Sequence, residues 1–198
     1  MIYLFLTGKP ACGKDTQAKL LSKKLKTDIV TTSKEIDKFL KVYKRKYIFI
    51  KGRKINVKKQ KRIKAQGKLV SFSLVSYIVS KIIEKAIKKK KSLIFAGSPR
   101  SIYEAKTYLK VFKKYKNVKY YFIYLKITDK TVFERIKLRY RIEKRKDDKP
   151  SKIKERLKYF QNEILPMIEW LKKQNLIIEI NGEKEPKKVA EEIISHLR

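Results

Sequence analysis

Residues 8–17 (GKPACGKDTQ) constrain the fold of this chain more than any other segment. Residues 1–6 before them form an unbroken apolar run, which is typical of a strand covered on both faces of a parallel sheet. Residues 14–25 place apolar side chains on one helical stripe and lysines on the opposite face. The sequence therefore predicts a buried strand that a short glycine-containing turn joins to the first turn of a helix.

The residue types in this turn suit the binding of a phosphate group. Gly8 and Gly13 lack the Cβ atoms that would block a tight wrap, so backbone N–H groups and the helix N-terminus can face an anion. Lys14 adds positive charge for terminal phosphates, and Thr16 supplies a hydroxyl for phosphate or magnesium. An ordinary strand–turn–helix corner is the alternative, but the glycines, the lysine and the helix together favour a nucleotide site.

The turn resembles the loop of the adenylate kinase family, GxPGxGKGTQ. Two glycines of the family pattern are replaced here by Ala11 and Asp15. Ala11 is a mild change if its φ is negative, whereas Asp15 brings a carboxylate near a polyphosphate and must point away or meet a lysine. The ATP-binding residues that the resemblance implies in this loop are Gly8, Pro10, Ala11, Cys12, Gly13, Lys14, Asp15, Thr16 and Gln17.

Composition limits the class of protein. With 198 residues and 42% hydrophobic content, the chain can bury a substantial core in one domain. It has one cysteine and no signal-peptide pattern at its start, so we expect a cytoplasmic protein without an internal disulfide. No apolar run is long enough to span a bilayer, so no membrane partner is expected. The one histidine, His196, lies near the C-terminus, which argues against histidine chemistry or metal ligation.

The charge is unusual, since 54 Lys and Arg against 19 Asp and Glu give a net charge of +35. The positive electrostatic potential of such a protein attracts ATP, but it also attracts nucleic acid or an acidic membrane without specificity. Most of the excess positive charge comes from lysines that are spread along every predicted helix, which is typical of solvated helix faces. An abundance of lysine is also what an AT-rich genome encodes. Nucleic acid is therefore expected only as a nonspecific partner.

Five short apolar runs alternate with amphipathic helices along the chain, at residues 1–6, 28–32, 92–96, 118–127 and 176–180. This alternation predicts an α/β fold with a three-layer, doubly wound, five-stranded parallel sheet and ligands at the carboxyl ends of the strands. The resemblance implies the P-loop nucleoside monophosphate kinase form of this fold. It further implies one domain over residues 1–198, with a helical NMP-binding insertion at 31–70 and a short lid at 139–147, and we expect a monomer.

The acceptor side of the implied site matches the family in part. Thr32 lies at a nucleotide-contacting threonine, and residues 67–70 (GKLV) match a backbone clamp on the acceptor base. The family's phosphate-binding arginine falls at Asp37, and a carboxylate cannot replace a guanidinium group. Either Lys34 or Lys38 supplies that charge, or acceptor binding is weakened, unless a different helix register makes Asp37 a surface residue.

Residues 97–100 (GSPR) follow an apolar run and resemble the family's DGFPR segment. Arg100 at the carboxyl end of a parallel strand would lie where ligands bind, and its guanidinium group matches phosphate oxygens. A surface arginine after a buried strand is the alternative. Ala96 replaces the acidic residue that orders magnesium through water in the family, so Mg²⁺ would be held mainly by the nucleotide and water, with Thr16 as the one candidate side chain.

Glu104 lies where the family recognises adenine with a glutamine. An amide donates and accepts, as adenine requires, whereas an ionised carboxylate only accepts and would suit the two donors of guanine. The sequence therefore suggests altered acceptor selectivity, with GMP as the candidate. The alternative is a solvent-facing glutamate that pairs with a lysine.

Arginines in the second half of the chain complete the resemblance. Arg135 and Arg139 share a helix face, as do two family arginines over the base and phosphates of ATP, although a solvated stripe has the same spacing. Residues 145–148 (RKDD) and Arg156 resemble the end of a short lid and the helix after it, although a plain charged helix N-terminus is the alternative. The resemblance implies that Arg145 and Arg156 clamp the transferring phosphoryl group while Asp147 and Asp148 orient them. The turn at residues 182–184 would contact the ATP base.

The resemblance implies reversible phosphoryl transfer from MgATP to a nucleoside monophosphate, with AMP favoured and GMP, UMP or CMP as alternatives. The implied catalytic residues are Lys14, Arg100, Arg135, Arg145 and Arg156. The further ATP-binding residues are Arg135, Arg139, Gly182 and Lys184. The implied acceptor-binding residues are Thr32, Lys68, Leu69, Val70, Gly97, Arg100, Glu104, Arg145 and Arg156.

A segment at residues 42–55 is inserted relative to the family. We expect a small strand at residues 47–50 and a lid over the acceptor pocket whose aromatic side chains pack inward. Basic residues interleaved with aromatic ones are also typical of a platform for single-stranded nucleic acid. A second hypothesis is therefore a catalytically impaired nucleotide-binding protein with a basic surface for RNA or another partner.

Overall fold

A computed structural model of the chain describes residues 1–66, 68–143 and 150–197. Its strands are β1 (Ile2–Gly8), β2 (Asp28–Thr31), β3 (Tyr47–Ile50), β4 (Arg53–Asn56), β5 (Leu93–Ala96), β6 (Lys119–Lys126) and β7 (Ile177–Asn181). Its α-helices are α1 (Lys14–Leu25), α2 (Thr32–Val42), α3 (Val57–Ala65), α4 (Phe72–Lys88), α5 (Ile102–Phe112), α6 (Asp129–Glu143), α7 (Pro150–Tyr159), α8 (Leu165–Lys173) and α9 (Pro186–Ser195). Within the described ranges, no helix is both long and apolar enough to cross a membrane.

The predicted five-stranded parallel sheet is confirmed. The strands lie in the order β2-β5-β1-β6-β7, and each neighbouring pair is parallel. Strand β1 is central, with Phe5 opposite Phe95 of β5 on one side and Phe122 of β6 on the other. Because parallel strands end at the same edge, the segments that follow β1 and β5 lie side by side, as the bond from the Gly97 N–H to the Leu6 carbonyl shows.

Two apolar layers cover the sheet, one on each face. The side chains of Tyr3 and Phe5 belong to one layer, whereas those of Leu4 and Leu6 belong to the other. In the first layer the Phe5 ring stacks on Phe95 with centroids 4.7 Å apart. The alternation of strand side chains therefore buries β1 on both faces and gives the three-layer α/β architecture that the sequence predicts.

The sequence predicts one long helix over residues 151–172 with a kink at Pro166, but the structure divides this segment differently. Helix α7 passes into a π-helical turn at Phe160–Ile164, and α8 then begins at Leu165. Pro166 therefore lies in the first turn of α8, directly after the π-helical turn. The π-helical turn before Pro166, rather than a kink at the proline, therefore separates α7 from α8.

The inserted segment forms an antiparallel hairpin of β3 and β4, so a second strand accompanies the predicted one. The isoleucines of the hairpin, Ile48, Ile50 and Ile55, are buried in the first apolar layer. Phe49 alternates with them and is 67% exposed, so the expectation that the aromatic side chains of this segment pack inward is wrong for Phe49. The period of two along a strand forces this outcome once the isoleucines face the core.

Candidate active site

The turn after β1 wraps tightly, as its glycines predict. Gly8 has φ 151°, and a Cβ there would lie 2.6 Å from the Leu125 carbonyl oxygen and 2.7 Å from the Cys12 Sγ. Gly13 has φ 92° and caps the N-terminus of α1. The Cys12 N–H donates to the Lys9 carbonyl and closes the turn. Strand, turn and helix therefore form the geometry of a phosphate-binding loop.

The Gly8→Ala variant should test how closely this loop packs on the sheet. We expect the free energy of unfolding to fall by about 2–3 kcal/mol, since the new methyl group must displace a backbone carbonyl. The control is Gly52→Ala in the hairpin turn, where φ is also positive but no atom lies within 4 Å of the added Cβ. That variant should lose only about 1 kcal/mol. Equal losses in urea denaturation of the two variants would contradict the close approach at Gly8.

A cavity of about 890 Å³, the loop cavity, opens over this turn. This volume is in the range of small-molecule binding sites. The predicted residues that line it are Ala11, Cys12, Gly13, Lys14, Asp15, Thr16, Gln17, Gly97, Arg100, Arg135, Arg139, Arg156, Gly182 and Lys184. The structure thus brings residues from both ends of the chain around the N-terminus of α1.

Not every one of these side chains faces the loop cavity freely. Gln17 is buried and its amide nitrogen donates to the Pro186 carbonyl, and Cys12 packs in the second apolar layer. The Lys184 ammonium lies 2.8 Å from a carboxylate oxygen of Glu192. At Gln17 and Cys12, backbone groups rather than the side chains are therefore available to a ligand.

Arg135 joins two parts of the loop cavity. Its guanidinium donates to the Gly182 carbonyl at 2.9 Å and to the Ala11 carbonyl at 3.4 Å. The side chain therefore ties the phosphate loop to the turn after β7, in addition to lining the cavity. The sequence suggested that Arg135 contacts the base and phosphates of ATP, and the structure adds that Arg135 holds two backbone segments of the cavity together.

Glu183, which the sequence analysis did not single out, fixes the same turn against α6. Its carboxylate accepts hydrogen bonds from the Thr128 N–H and the Thr131 hydroxyl, and these bonds lower its pKa to about 2. Thr128 itself accepts from the Thr131 N–H and caps the helix. The turn that carries Gly182 and Lys184 is thus held in place from both sides.

A second cavity of about 140 Å³ lies between α2, the segment after α3 and the segment after β5, and is called the inner cavity. Two hydroxyl oxygens in its lining, on Thr32 and Tyr159, are buried without a hydrogen-bond partner among the described residues. Buried polar atoms normally have partners, so the inner cavity offers hydrogen-bonding groups to a ligand. The predicted residues that line it are Thr32, Lys68, Leu69, Val70, Gly97, Arg100 and Glu104.

A third cavity of about 610 Å³, the bridging cavity, connects the two groups of residues. Lys14 and Arg156 line it together with the loop cavity, and Tyr159 and Lys68 line it together with the inner cavity. Arg100 lines all three. Gly8 and Pro10 also lie in its wall. The bridging cavity therefore connects two candidate binding regions, and the lining that they share includes cationic side chains.

A model of the adenylate kinase family matches residues 6–176. The chain belongs to the adenylate kinase family. Adenylate kinases of Buchnera aphidicola and of Prochlorococcus marinus strain MIT 9515 are each 31% identical to it. The first alignment covers 98% of this chain and 96% of the relative, and the second covers 96% of each. The adenylate kinase of Aster yellows witches'-broom phytoplasma is 30% identical over 90% of each chain.

Membership makes the protein a phosphotransferase of the nucleoside monophosphate kinase class. The loop cavity then corresponds to the side of the adenylate kinase loop, and the inner cavity to the side of the GKLV and GSPR segments. The predicted catalytic Arg145, with Asp147 and Asp148, and the glycine of the GKLV segment, Gly67, lie outside the described residues. Their roles stay predictions.

Two departures from the family pattern lie in the phosphate loop. Ala11 has φ 59°, so the condition for a mild change, a negative φ, is not met, and the alanine adopts a left-handed conformation that glycine tolerates better. Asp15 is exposed in the first turn of α1 and lines the loop cavity, where the helix dipole favours a carboxylate. Neither change closes the cavity.

The departure at Asp37 is balanced by a residue that the sequence analysis missed. Lys64 of α3 lies 3.1 Å from the Asp37 carboxylate, donates to the Ser33 hydroxyl at 2.9 Å and lines the inner cavity. Lys34 and Lys38, the predicted substitutes, are exposed, and neither lines any of the three cavities. The contact joins residues far apart in sequence, so only the packing of α3 on α2 reveals it.

Glu104 is 1% exposed, so the alternative of a solvent-facing glutamate is wrong. One carboxylate oxygen accepts from the Ser98 hydroxyl, the Arg100 N–H and the Tyr108 hydroxyl at 3.0 to 3.2 Å. Burial raises the pKa of Glu104, and these bonds together with the Arg100 charge oppose the rise. The carboxyl group therefore belongs to the wall of the inner cavity and is also part of a buried network.

Magnesium is expected to accompany ATP in this family. Within the described ranges, no group of three or more His, Cys, Asp or Glu side chains is arranged to hold a metal ion. Thr16 in the first turn of α1 lines the loop cavity, and so does Ala96, which has no carboxylate. The residues present fit a metal that the phosphates and water hold, with Thr16 beside it.

Proposed function

We propose that this kinase transfers the γ-phosphoryl group of MgATP reversibly to AMP, giving two molecules of ADP. The observation that carries the proposal is the position of Arg100, which lines the loop, inner and bridging cavities. A donor nucleotide in the loop cavity and an acceptor in the inner cavity would direct their phosphates toward this arginine from opposite sides. Such an arrangement supports direct transfer between two bound nucleotides.

Lys14, Arg100 and Arg156 are the cations proposed to act on the phosphates. Lys14 and Arg156 both line the loop and bridging cavities, and Lys14 has no ion-pair partner among the described residues. In phosphoryl transfer, cations stabilise the charge on the transferring oxygens, and no side chain needs to be modified. Mg²⁺ bound to ATP would supply further charge neutralisation between the β- and γ-phosphates.

The donor base would lie near the turn after β7, where Gly182 and Lys184 line the loop cavity. Arg135 holds that turn to the phosphate loop, so its contribution would be to fix the distance between base and phosphate subsites. The acceptor base would lie in the inner cavity against Leu69 and Val70. The unpartnered hydroxyl of Thr32 offers it a hydrogen bond.

A coupled assay of ADP formation from ATP with each monophosphate tests the proposal. We expect turnover with AMP that depends on Mg²⁺ and is inhibited by a bisubstrate analogue that links adenosine to adenosine through phosphates. Turnover with UMP and CMP should be at least about tenfold lower in kcat/KM, because a purine fills the acceptor region better. An enzyme that prefers a pyrimidine monophosphate, or that only hydrolyses ATP, would contradict the proposal.

The inserted hairpin supports the second hypothesis, a basic surface for RNA. Phe49 is 67% exposed, and the ammonium group of Lys54 lies 4.3 Å from the centroid of the Tyr47 ring. Neither strand of the hairpin lines any of the three cavities. Turnover near background together with tight, salt-sensitive binding of single-stranded RNA would favour this hypothesis over the kinase.

A further inference from the structure

The inner cavity carries a cation that does not occupy the position of the family arginine. Lys64 is near the C-terminal end of α3, and its side chain is 24% exposed. An ammonium group has three N–H donors. One is directed to the Ser33 hydroxyl at 2.9 Å and one to the Asp37 carboxylate at 3.1 Å. A third donor therefore stays available while the other two fix the position of the ammonium group.

The surroundings of Lys64 indicate what it could bind. Ser33 lines all three cavities, so the ammonium group that it accepts from lies near the point where they meet. Arg100 lines the same inner cavity and provides a planar guanidinium group. Lys68 lines this cavity as well, so three cationic side chains face one buried carboxyl group in its lining. This excess of positive charge in a small cavity suits a dianion rather than a neutral group. The Asp37 carboxylate is 57% exposed and offsets part of the Lys64 charge, but not that of Arg100 or Lys68.

We infer that Lys64 binds the phosphate group of the acceptor monophosphate, and that Asp37 is a positioning residue that holds Lys64 in place. The inference rests on the proposed function and assigns a residue within it. The cation comes from α3, whereas the family arginine lies at the position of Asp37 in α2. The contact between Asp37 and Lys64 therefore explains how a carboxylate is tolerated at the arginine position. Lys34 and Lys38, the substitutes that the sequence suggested for the family arginine, line none of the three cavities.

The test separates phosphate binding from a structural role by comparing AMP with adenosine. In Lys64→Gln, we expect the Kd of AMP to rise about tenfold, as loss of a charge-assisted hydrogen bond implies, while the Kd of adenosine changes less than twofold. Isothermal titration calorimetry on the full chain gives both values. The KM for AMP should rise by a similar factor with little change in kcat, and Lys64→Arg should recover most of the loss.

Lys38→Gln is the matched control, because it removes one positive charge from an exposed position of α2 outside the three cavities. It should leave the Kd of AMP within twofold of the parent value. Asp37→Asn keeps a hydrogen-bond acceptor but removes the competing charge, so AMP should bind about two- to fivefold more tightly. This gain should disappear in the double variant with Lys64→Gln, because it acts through the lysine.

The outcomes distinguish this inference from the proposed function. If the parent protein phosphorylates AMP but Lys64→Gln binds AMP as the parent does, the assignment of Lys64 is wrong and the kinase stands. If Lys64→Gln weakens AMP and adenosine equally, Lys64 supports the fold of the cavity and does not bind phosphate. If the parent protein binds AMP with this lysine dependence but does not phosphorylate it, the kinase fails and the assignment stands.

Discussion

Replacing Lys14 with alanine should lower kcat for phosphoryl transfer by about 10²–10³-fold without unfolding the domain. Lys14 begins α1 and lines the loop and bridging cavities, so its charge lies between the two proposed nucleotides. The side chain has no ion-pair partner among the described residues, and its removal breaks no structural contact of that kind. Its loss therefore acts mainly on the charge that develops during transfer.

Lys23→Ala provides the matched control for Lys14→Ala. It removes a lysine from the same helix at an exposed position that lines none of the three cavities. We expect parent kcat in Lys23→Ala and a midpoint of thermal unfolding within a few degrees of the parent in both variants. Single-turnover kinetics with saturating MgATP isolate the chemical step. Near-normal turnover in Lys14→Ala would refute the assignment of the loop cavity as the donor site.

The phosphate loop could be predicted from the sequence because its determinants are local. Gly8, Gly13 and Lys14 lie within a few residues of one another, between an apolar run and a helix. The backbone at Ala11 could not be predicted in the same way. Its φ of 59° follows from the path that the loop takes between β1 and α1, and an alanine in the sequence indicates nothing about it.

Contacts between distant segments account for what the sequence analysis missed. Lys64 reaches Asp37 only because α3 packs on α2, and Glu183 reaches Thr128 only because β7 ends beside β6. Tyr159 likewise enters the site from the end of α7. Within the inserted hairpin, strand alternation decided which side chains are buried, and it exposes Phe49, which had been expected to pack inward.

The second large effect is expected at Glu104, in the choice of acceptor base. Adenine presents an acceptor at N1 and a donor at N6, whereas guanine presents donors at N1 and N2. An ionised carboxylate can only accept, and a neutral carboxyl group or an amide can also donate. Glu104→Gln should therefore raise the ratio of kcat/KM for AMP to that for GMP by about tenfold or more at a pH where the parent carboxyl group is ionised.

The protonation of Glu104 determines how this ratio depends on pH. Burial raises its pKa, and the groups that face it are Arg100, Ser98, Tyr108 and Tyr159, with Lys64 and Lys68 in the same cavity wall. The neutral form predominates below the raised pKa and the charged form above it. In the parent enzyme, kcat/KM for AMP should therefore fall relative to GMP as pH rises through this pKa, whereas Glu104→Gln should show no such change.

The free energy of unfolding should also depend on pH through the titration of Glu104. A folded-state pKa above the unfolded value means that the folded protein binds the proton more tightly, so this stabilisation is fully present below the unfolded pKa and is lost as pH rises. Relative to the parent, Glu104→Gln should gain stability as pH rises through this range, provided that the amide keeps the bonds to Ser98, Arg100 and Tyr108. Urea denaturation at several pH values measures the difference.

Glu191→Gln controls for the loss of one carboxylate, because Glu191 lies on the surface of α9 with its side chain 62% exposed. It should leave both the AMP to GMP ratio and its pH dependence unchanged. A parent enzyme that prefers AMP by orders of magnitude at every pH, with no change in Glu104→Gln, would show that the buried network positions Arg100 and does not contact the base. The network bond from Arg100 to the Glu104 carboxylate would then make kcat, rather than acceptor choice, the parameter that the substitution changes.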